Sequence, residues 1–110
     1  MLIYIAGPYT ADTPEKIHQN ITNALDMAAK VWQAGHVAIC PHGNTYHFEQ
    51  RDIGLTNEDY INGDLDILRR CDAILMLEGW QTSKGAVKEH YKACQLNMPI
   101  YFGKVPEDEV

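Results

Sequence analysis

Serine is nearly missing from this chain: Ser83 is the only one in 110 residues, and no G-x-S-x-G elbow surrounds it. A Ser-His-Asp hydrolase therefore lacks the turn that would expose its nucleophile. Basic residues are also few. Nine Lys and Arg stand against fifteen Asp and Glu, a net charge of −6, whereas binding a nucleic-acid polymer requires a basic face. The three cysteines, Cys40, Cys71 and Cys94, are odd in number and form no C-x-x-C. That excludes a disulfide scaffold and points to buried free thiols in a reducing compartment. There is no apolar run of about 18 residues, so no membrane span is expected. The N-terminal stretch lacks the basic region of a leader, and a cytoplasmic location is expected.

Several cofactor and metal signatures are missing too. No G-x-G-x-x-G occurs. From Gly79 the next glycine, Gly85, comes one place too late for a P-loop, and Ala86 follows it where Lys is needed. His42 and His47 are five apart near Cys40, not at the i, i+4 spacing of helical metal pairs, and H-E-x-x-H is absent. Neither a metal nor a cofactor is expected.

What is present is a 45% hydrophobic, 22% charged chain with no linker or repeat, expected to form one domain over residues 1–110. Residues 2–6 form a short apolar run ended by Gly7-Pro8, which predicts a buried strand. Thr13, Pro14 and Glu15 supply a helix start. Ile17, Ile21, Ala24, Leu25, Ala28 and Trp32 follow at helical spacing, until Gly35. Strands are predicted at 36–40, 73–77 and 100–102. Helices are predicted at about 57–70 and from the 82–89 stretch to about 97. A long polar loop is predicted over 42–55, and a loose acidic tail over 105–110. Strands alternating with helices imply an α/β, Rossmann-like or flavodoxin-like three-layer fold, with a mainly parallel sheet of four or five strands. Ligands in such sheets bind at the carboxyl ends of the strands. Here those ends carry Gly7-Pro8-Tyr9, Pro41-His42 and Glu78-Gly79-Trp80.

Three polar groups interrupt the apolar pattern. Tyr4 is the only polar side chain among Leu2, Ile3 and Ile5, and a buried tyrosine needs a partner for its hydroxyl. Asp64 is three residues from Ile61 and four from Leu68, so helical spacing places it on the apolar stripe while Asp66 points away. An inward acid is either paired with a backbone N–H or functional. On the last helix Ala86, Val87, Ala93 and Cys94 mark the buried side, which puts Glu89 at its border. A glutamate there is ordinarily a solvated charge. Ser83 reads first as an N-cap. The same helix start also offers free N–H groups to an anion, and Gly85 permits close approach to the backbone. Tyr4, Asp64 and Glu89 together make a pair of carboxylates with a hydroxyl, the equipment of glycosidic chemistry.

The segments "IYIAGPYT", "NGDLDILRRCDAILML" and "GWQTSKGAVKE" resemble the nucleoside 2-deoxyribosyltransferase superfamily. Within it the chain is similar above all to the small DUF4406 proteins, and the 2'-deoxynucleoside 5'-phosphate N-hydrolases are another relative. The resemblance spans almost the whole chain, and "GW-x-x-S-x-G-A-x-x-E" is its most specific part. It implies that Glu89 is the nucleophile, that Asp64 positions Glu89 or helps protonate the leaving base, and that Tyr4 hydrogen-bonds the nucleophile. It places Gly7 and Pro8 beside the sugar and phosphate. Ser83 and Gly85 would hold a 5'-phosphate, where transferases of free nucleosides carry an acid at the Ser83 position. Trp80 would either stack on a base or be a partly buried structural tryptophan. The chain departs from the hydrolase branch at Thr10, where that branch has a phosphate-binding arginine.

The resemblance implies cleavage of the N-glycosidic bond of a nucleoside or nucleotide by a homodimer or larger homo-oligomer. The departure at Thr10 keeps open a second expectation, a non-catalytic nucleotide-binding or sensor protein on the same fold.

Overall fold

Strand β1, Leu2–Ala6, lies inside the sheet, paired in parallel with β2 (Val37–Ile39) on one side and β3 (Ala73–Met76) on the other. A computed structural model describes residues 1–44 and 51–106. His47 and the last four residues of the predicted tail lie outside the described residues. Strand β4, Ile100–Phe102, pairs in parallel with β3, giving the order β2-β1-β3-β4. The all-parallel α/β sheet expected from the alternation of elements is thus observed, with four strands among the described residues.

Alternation along β1 divides the core. Ile3 and Ile5 face the layer of helix α1 (Pro14–Gln33), packing with Ala24, Ala28 and Val31. Tyr4 and Ala6 face the opposite layer, with Leu68 of α3 (Asn57–Leu68) and Ala86 and Ala93 of α4 (Lys84–Gln95). Helices cover both faces, so β1 and β3 are apolar in every position but Tyr4.

The helix starts are local. Thr13 Oγ1 caps α1, and Thr56 with Asp59 forms a capping box at α3. Ser83 Oγ caps α4 by accepting from the Ala86 N–H at 3.2 Å.

The structure corrects three expectations. Leu25 and Trp32 are exposed, because the buried stripe of α1 is centred on Ala24, Ala28 and Val31 and leaves them on its flank. The predicted 42–55 loop opens with a helical turn, α2 (Pro41–Asn44), for which Pro41 supplies the preset φ. The last helix begins at Lys84, as the expected N-cap at Ser83 requires, and a separate 3₁₀ turn, Trp80–Thr82, precedes it. Of the three free cysteines only Cys71 is buried, while Cys40 is half-buried and Cys94 exposed.

The carboxyl ends of β1 and β3 are in tight contact. Leu77 N–H donates to the Ala6 carbonyl at 2.7 Å. A Cβ added at Gly7 would lie 2.6 Å from Leu77 Cβ, so only glycine fits where these strands end. Gly7→Ala is expected to lower the unfolding free energy by about 1–3 kcal/mol, read as a lower urea midpoint at unchanged slope. A variant as stable as the parent would mean that the two strand ends do not pack this closely.

Candidate active site

Tyr4 brings its hydroxyl through the sheet face into the layer between α3 and α4. It is fully buried and donates a hydrogen bond to Glu89 Oε2. Glu89 is only 9% exposed. The expectation that it borders the buried face of α4 is therefore corrected: Ala86, Glu89 and Ala93, at i, i+3 and i+7, are the buried stripe, and Val87 and Cys94 are exposed. Two alanines, one turn before and one turn after, let α4 come close to the sheet, which brings a medium-length carboxylate within reach of Tyr4.

The electrostatics follow from that burial. Desolvation pushes the Glu89 carboxyl up to about 8, against the pull of the Tyr4 hydrogen bond, and the charge of Asp64 adds to the rise. Asp64, half-buried on α3, is raised to about 6 by its own desolvation. Burial, Glu89 and Asp64 all push the Tyr4 phenol upward, so Tyr4 is a neutral donor. Asp66 contrasts with Asp64, as spacing predicts. It is exposed, bonded to Arg69 and Arg70, and held below the usual carboxylate range by those bonds.

The structure thus brings Tyr4, Asp64 and Glu89 together from β1, α3 and α4. A neutral hydroxyl holds one oxygen of a buried carboxyl, and a second carboxyl stands near enough to repel it. That arrangement can present the free Glu89 oxygen as a nucleophile once Glu89 has lost its proton, with Asp64 as a second titrating carboxyl beside it.

At the start of α4, Ser83 is half-buried. Its oxygen accepts from Ala86 N–H, which leaves its own O–H to donate. The Lys84 and Gly85 N–H groups have no acceptor within the helix. A Cβ at Gly85 would meet nothing within 4 Å, so the space beside this turn is open. Of the strand-end residues, Gly7 is buried and filled over by Leu77, and Pro8 packs toward Gly79.

Trp80 is placed differently. Its ring stacks on His90, with centroids 4.4 Å apart, and tilts against Phe102. It lines an open hollow of about 360 Å³ at the carboxyl ends of β3 and β4, with Met76, Gly79 and Phe102. Tyr4, Asp64 and Glu89 do not line that hollow. His42, expected at the carboxyl end of a strand and the start of a loop, is instead buried in α2 with Nε2 2.8 Å from the Pro8 carbonyl. Among the described residues no group of three His, Cys, Asp or Glu side chains could hold a metal ion. No described helix is long and apolar enough to cross a membrane.

The profile of the family described as "Domain of unknown function (DUF4406)" matches residues 1–102. Among solved structures, the chain is similar to a 2-deoxyribosyltransferase from the psychrotolerant bacterium Bacillus psychrosaccharolyticus. The TM-score is 0.65 at 18% identity, over 100% of this chain and 76% of that one. It is also similar to a 2-deoxyribosyltransferase from Leishmania mexicana, with a TM-score of 0.60 at 21% identity, over 92% of this chain and 62% of that one. The chain thus spans less than two thirds of the second protein. At these identities the likeness is one of fold. No curated protein matches the chain.

The burial of Glu89 has a sign that stability measurements can read. Its folded-state value of about 8 lies above the ordinary 4.5, so between those limits the folded protein holds a proton that the unfolded chain has released. Stability therefore falls as pH rises through this window. Glu89→Gln keeps an acceptor for Tyr4 and removes the titration. Its melting temperature is expected to gain on the parent's as pH goes from 5 to about 8.5. A constant difference across that range would contradict the burial of an ionisable group here.

Proposed function

The chain belongs to the DUF4406 family, and from that premise we propose that it cleaves the N-glycosidic bond of a (2'-deoxy)nucleoside 5'-monophosphate, with Glu89 as nucleophile. The observation that carries this reading is the buried Glu89 carboxyl, hydrogen-bonded by Tyr4 and facing the charge of Asp64. A structural role would favour an apolar residue between Ala86 and Ala93 on a helix face buried against the sheet. The similar solved structures are named as 2-deoxyribosyltransferases. They support the reading at the level of nucleoside glycosyl transfer.

In this mechanism the free oxygen of Glu89 attacks the anomeric carbon. The carbon–nitrogen bond breaks, its electron pair leaves with the base, and Asp64 supplies the proton that the base takes up. The product is a glycosyl ester of Glu89. Water, giving up a proton to Asp64, or a second base then displaces Glu89 from the same carbon, which makes the overall reaction a hydrolysis or a transfer with retention. Tyr4 orients the carboxylate by holding its other oxygen.

The start of α4 accounts for the 5'-phosphate. The Ser83 hydroxyl, the Lys84 and Gly85 N–H groups and the positive end of the helix all favour an anion. The open space at Gly85 leaves room for one. An acid at position 83 would repel it.

The test is release of free base from a panel of deoxynucleoside 5'-monophosphates and deoxynucleosides, with and without an acceptor base. The parent is expected to turn over monophosphates, and Glu89→Ala to fall to background. Equal base release by the two proteins would sink the reading. Ser83→Asp retains a good N-cap. It is expected to lower kcat/KM for the monophosphate by about 10- to 100-fold, a cost of roughly 1.4–2.7 kcal/mol, and to spare the free nucleoside.

Glu89 must be ionised to attack and Asp64 protonated to supply the base with its proton, so with values of about 8 and about 6 kcat/KM is expected to be bell-shaped, greatest between about pH 6 and 8. Asp64→Asn removes the proton donor and the charge that raises Glu89, so the fall at high pH is expected to disappear and the remaining, lower activity to follow a single limb below pH 8. A fall at high pH that persists in this variant would separate Asp64 from the reaction.

A further inference from the structure

The turn after β1 is held from three sides. On one, the buried His42 ring places Nε2 2.8 Å from the Pro8 carbonyl. A carbonyl only accepts, so Nε2 carries the proton and donates it. On the second, Asn20 Nδ2 donates to the Tyr9 carbonyl at 3.1 Å. On the third, Pro8 Cγ lies 3.5 Å from where a Cβ on Gly79 would stand. Gly79 has a φ of 85° and opens the 3₁₀ turn that leads into α4. In that turn Thr82 N–H donates to the Gly79 carbonyl and Ser83 N–H to the Trp80 carbonyl, at 3.2 and 3.1 Å. A line of neighbouring groups therefore runs from His42 through Pro8 and Gly79 to Ser83, across three different segments of the chain.

We propose that His42 is a positioning residue: its hydrogen bond to the Pro8 carbonyl seats the Pro8 ring against Gly79 and so sets where the Ser83 end of α4 stands. Tyr4 and Glu89 are joined directly by their own hydrogen bond and do not depend on this path. His42 is accordingly assigned to the anion-binding end of the site and not to the bond-breaking end. Neutrality suits the role. Burial holds the His42 imidazole below its ordinary value, so it is an uncharged donor at neutral pH and does not itself bind the phosphate. The inference rests on the reading that the start of α4 binds a 5'-phosphate.

Three variants test it. His42→Leu keeps bulk and removes the donor. His42→Gln places an amide N–H close to the position of Nε2. Pro8→Ala keeps the carbonyl that His42 engages and removes the ring that meets Gly79. His42→Leu and Pro8→Ala are each expected to raise KM for the monophosphate about tenfold, the scale of one lost buried hydrogen bond, with kcat within about twofold of the parent. His42→Gln is expected to restore KM to within about threefold. A parent-like KM in either of the first two variants overturns the proposal. So does a loss of kcat that glutamine does not restore, which would mark His42 as packing alone.

Nuclear magnetic resonance keeps this test separate from the functional reading. In ¹⁵N-labelled protein without substrate, His42→Leu is expected to shift the amide signals of Gly79 and Ser83, and His42→Gln to leave them near their parent positions. If the parent releases no base, the functional reading fails and these spectra still decide the positioning role. Shifts confined to residues 7–9 and 41–44 would overturn it.

Discussion

A carboxyl group buried between a helix and a sheet must either find a donor or give up its charge, and the Tyr4–Glu89 hydrogen bond is how this protein meets that condition. Much of the surrounding structure can be understood from it. Tyr4 has to sit in an interior strand, where its hydroxyl emerges into the helix layer and not into water. Ala86 and Ala93 have to be small, so that α4 lies close to the sheet on either side of Glu89. Gly7 has to lack a side chain, so that Leu77 can close over the end of β1 and hold β3, which feeds α4, beside it. Removing the hydroxyl would leave Glu89 with desolvation and Asp64 acting on it in the same direction, both favouring the neutral acid.

The site is built around one helix. Ser83 and Glu89 are six residues apart on α4, a rise of about 9 Å, and each is tied to the sheet differently. Glu89 is anchored by Tyr4 from within the core. The Ser83 end follows a turn that begins at Gly79, beside Pro8, whose carbonyl accepts from His42. The two ends of the helix are therefore held by different contacts. Asp64 comes from a third element and acts on both partners of the central pair through its charge. Trp80 belongs to neither end. Its ring is occupied by His90 and faces a separate hollow over β3 and β4.

The legibility of these features varied with the range of the interactions behind them. The positions of β1, β3 and β4 and the caps at Thr13 and Ser83 were readable because strand runs and N-caps are local patterns. The inward position of Asp64 was readable because Ile61, Leu65 and Leu68 define one stripe. Glu89 was misplaced because Val87 and Cys94 are apolar and drew the inferred face of α4 away from it. Both are exposed. Leu25 and Trp32 misled the reading of α1 in the same way. Apolar residues at a helix surface shift the apparent stripe by a flank's width, and only packing shows which flank the sheet covers.

Local chemistry along the chain was enough to establish an alternating α/β order, an anion-favouring helix start at Ser83 and a tyrosine out of place in an apolar strand. Those conclusions need neighbours no more than a few residues away, where backbone geometry and capping act. The Tyr4–Glu89 contact across 85 positions was expected only from the resemblance, and its burial, the reach of the Asp64 charge to both groups and the hold of His42 on the turn at Pro8 needed the packed sheet. The β2-β1-β3-β4 order and the depth of each helix against it set these contacts. Neither has a signature in any short stretch of sequence, because each arises only when separate apolar faces are buried against one another.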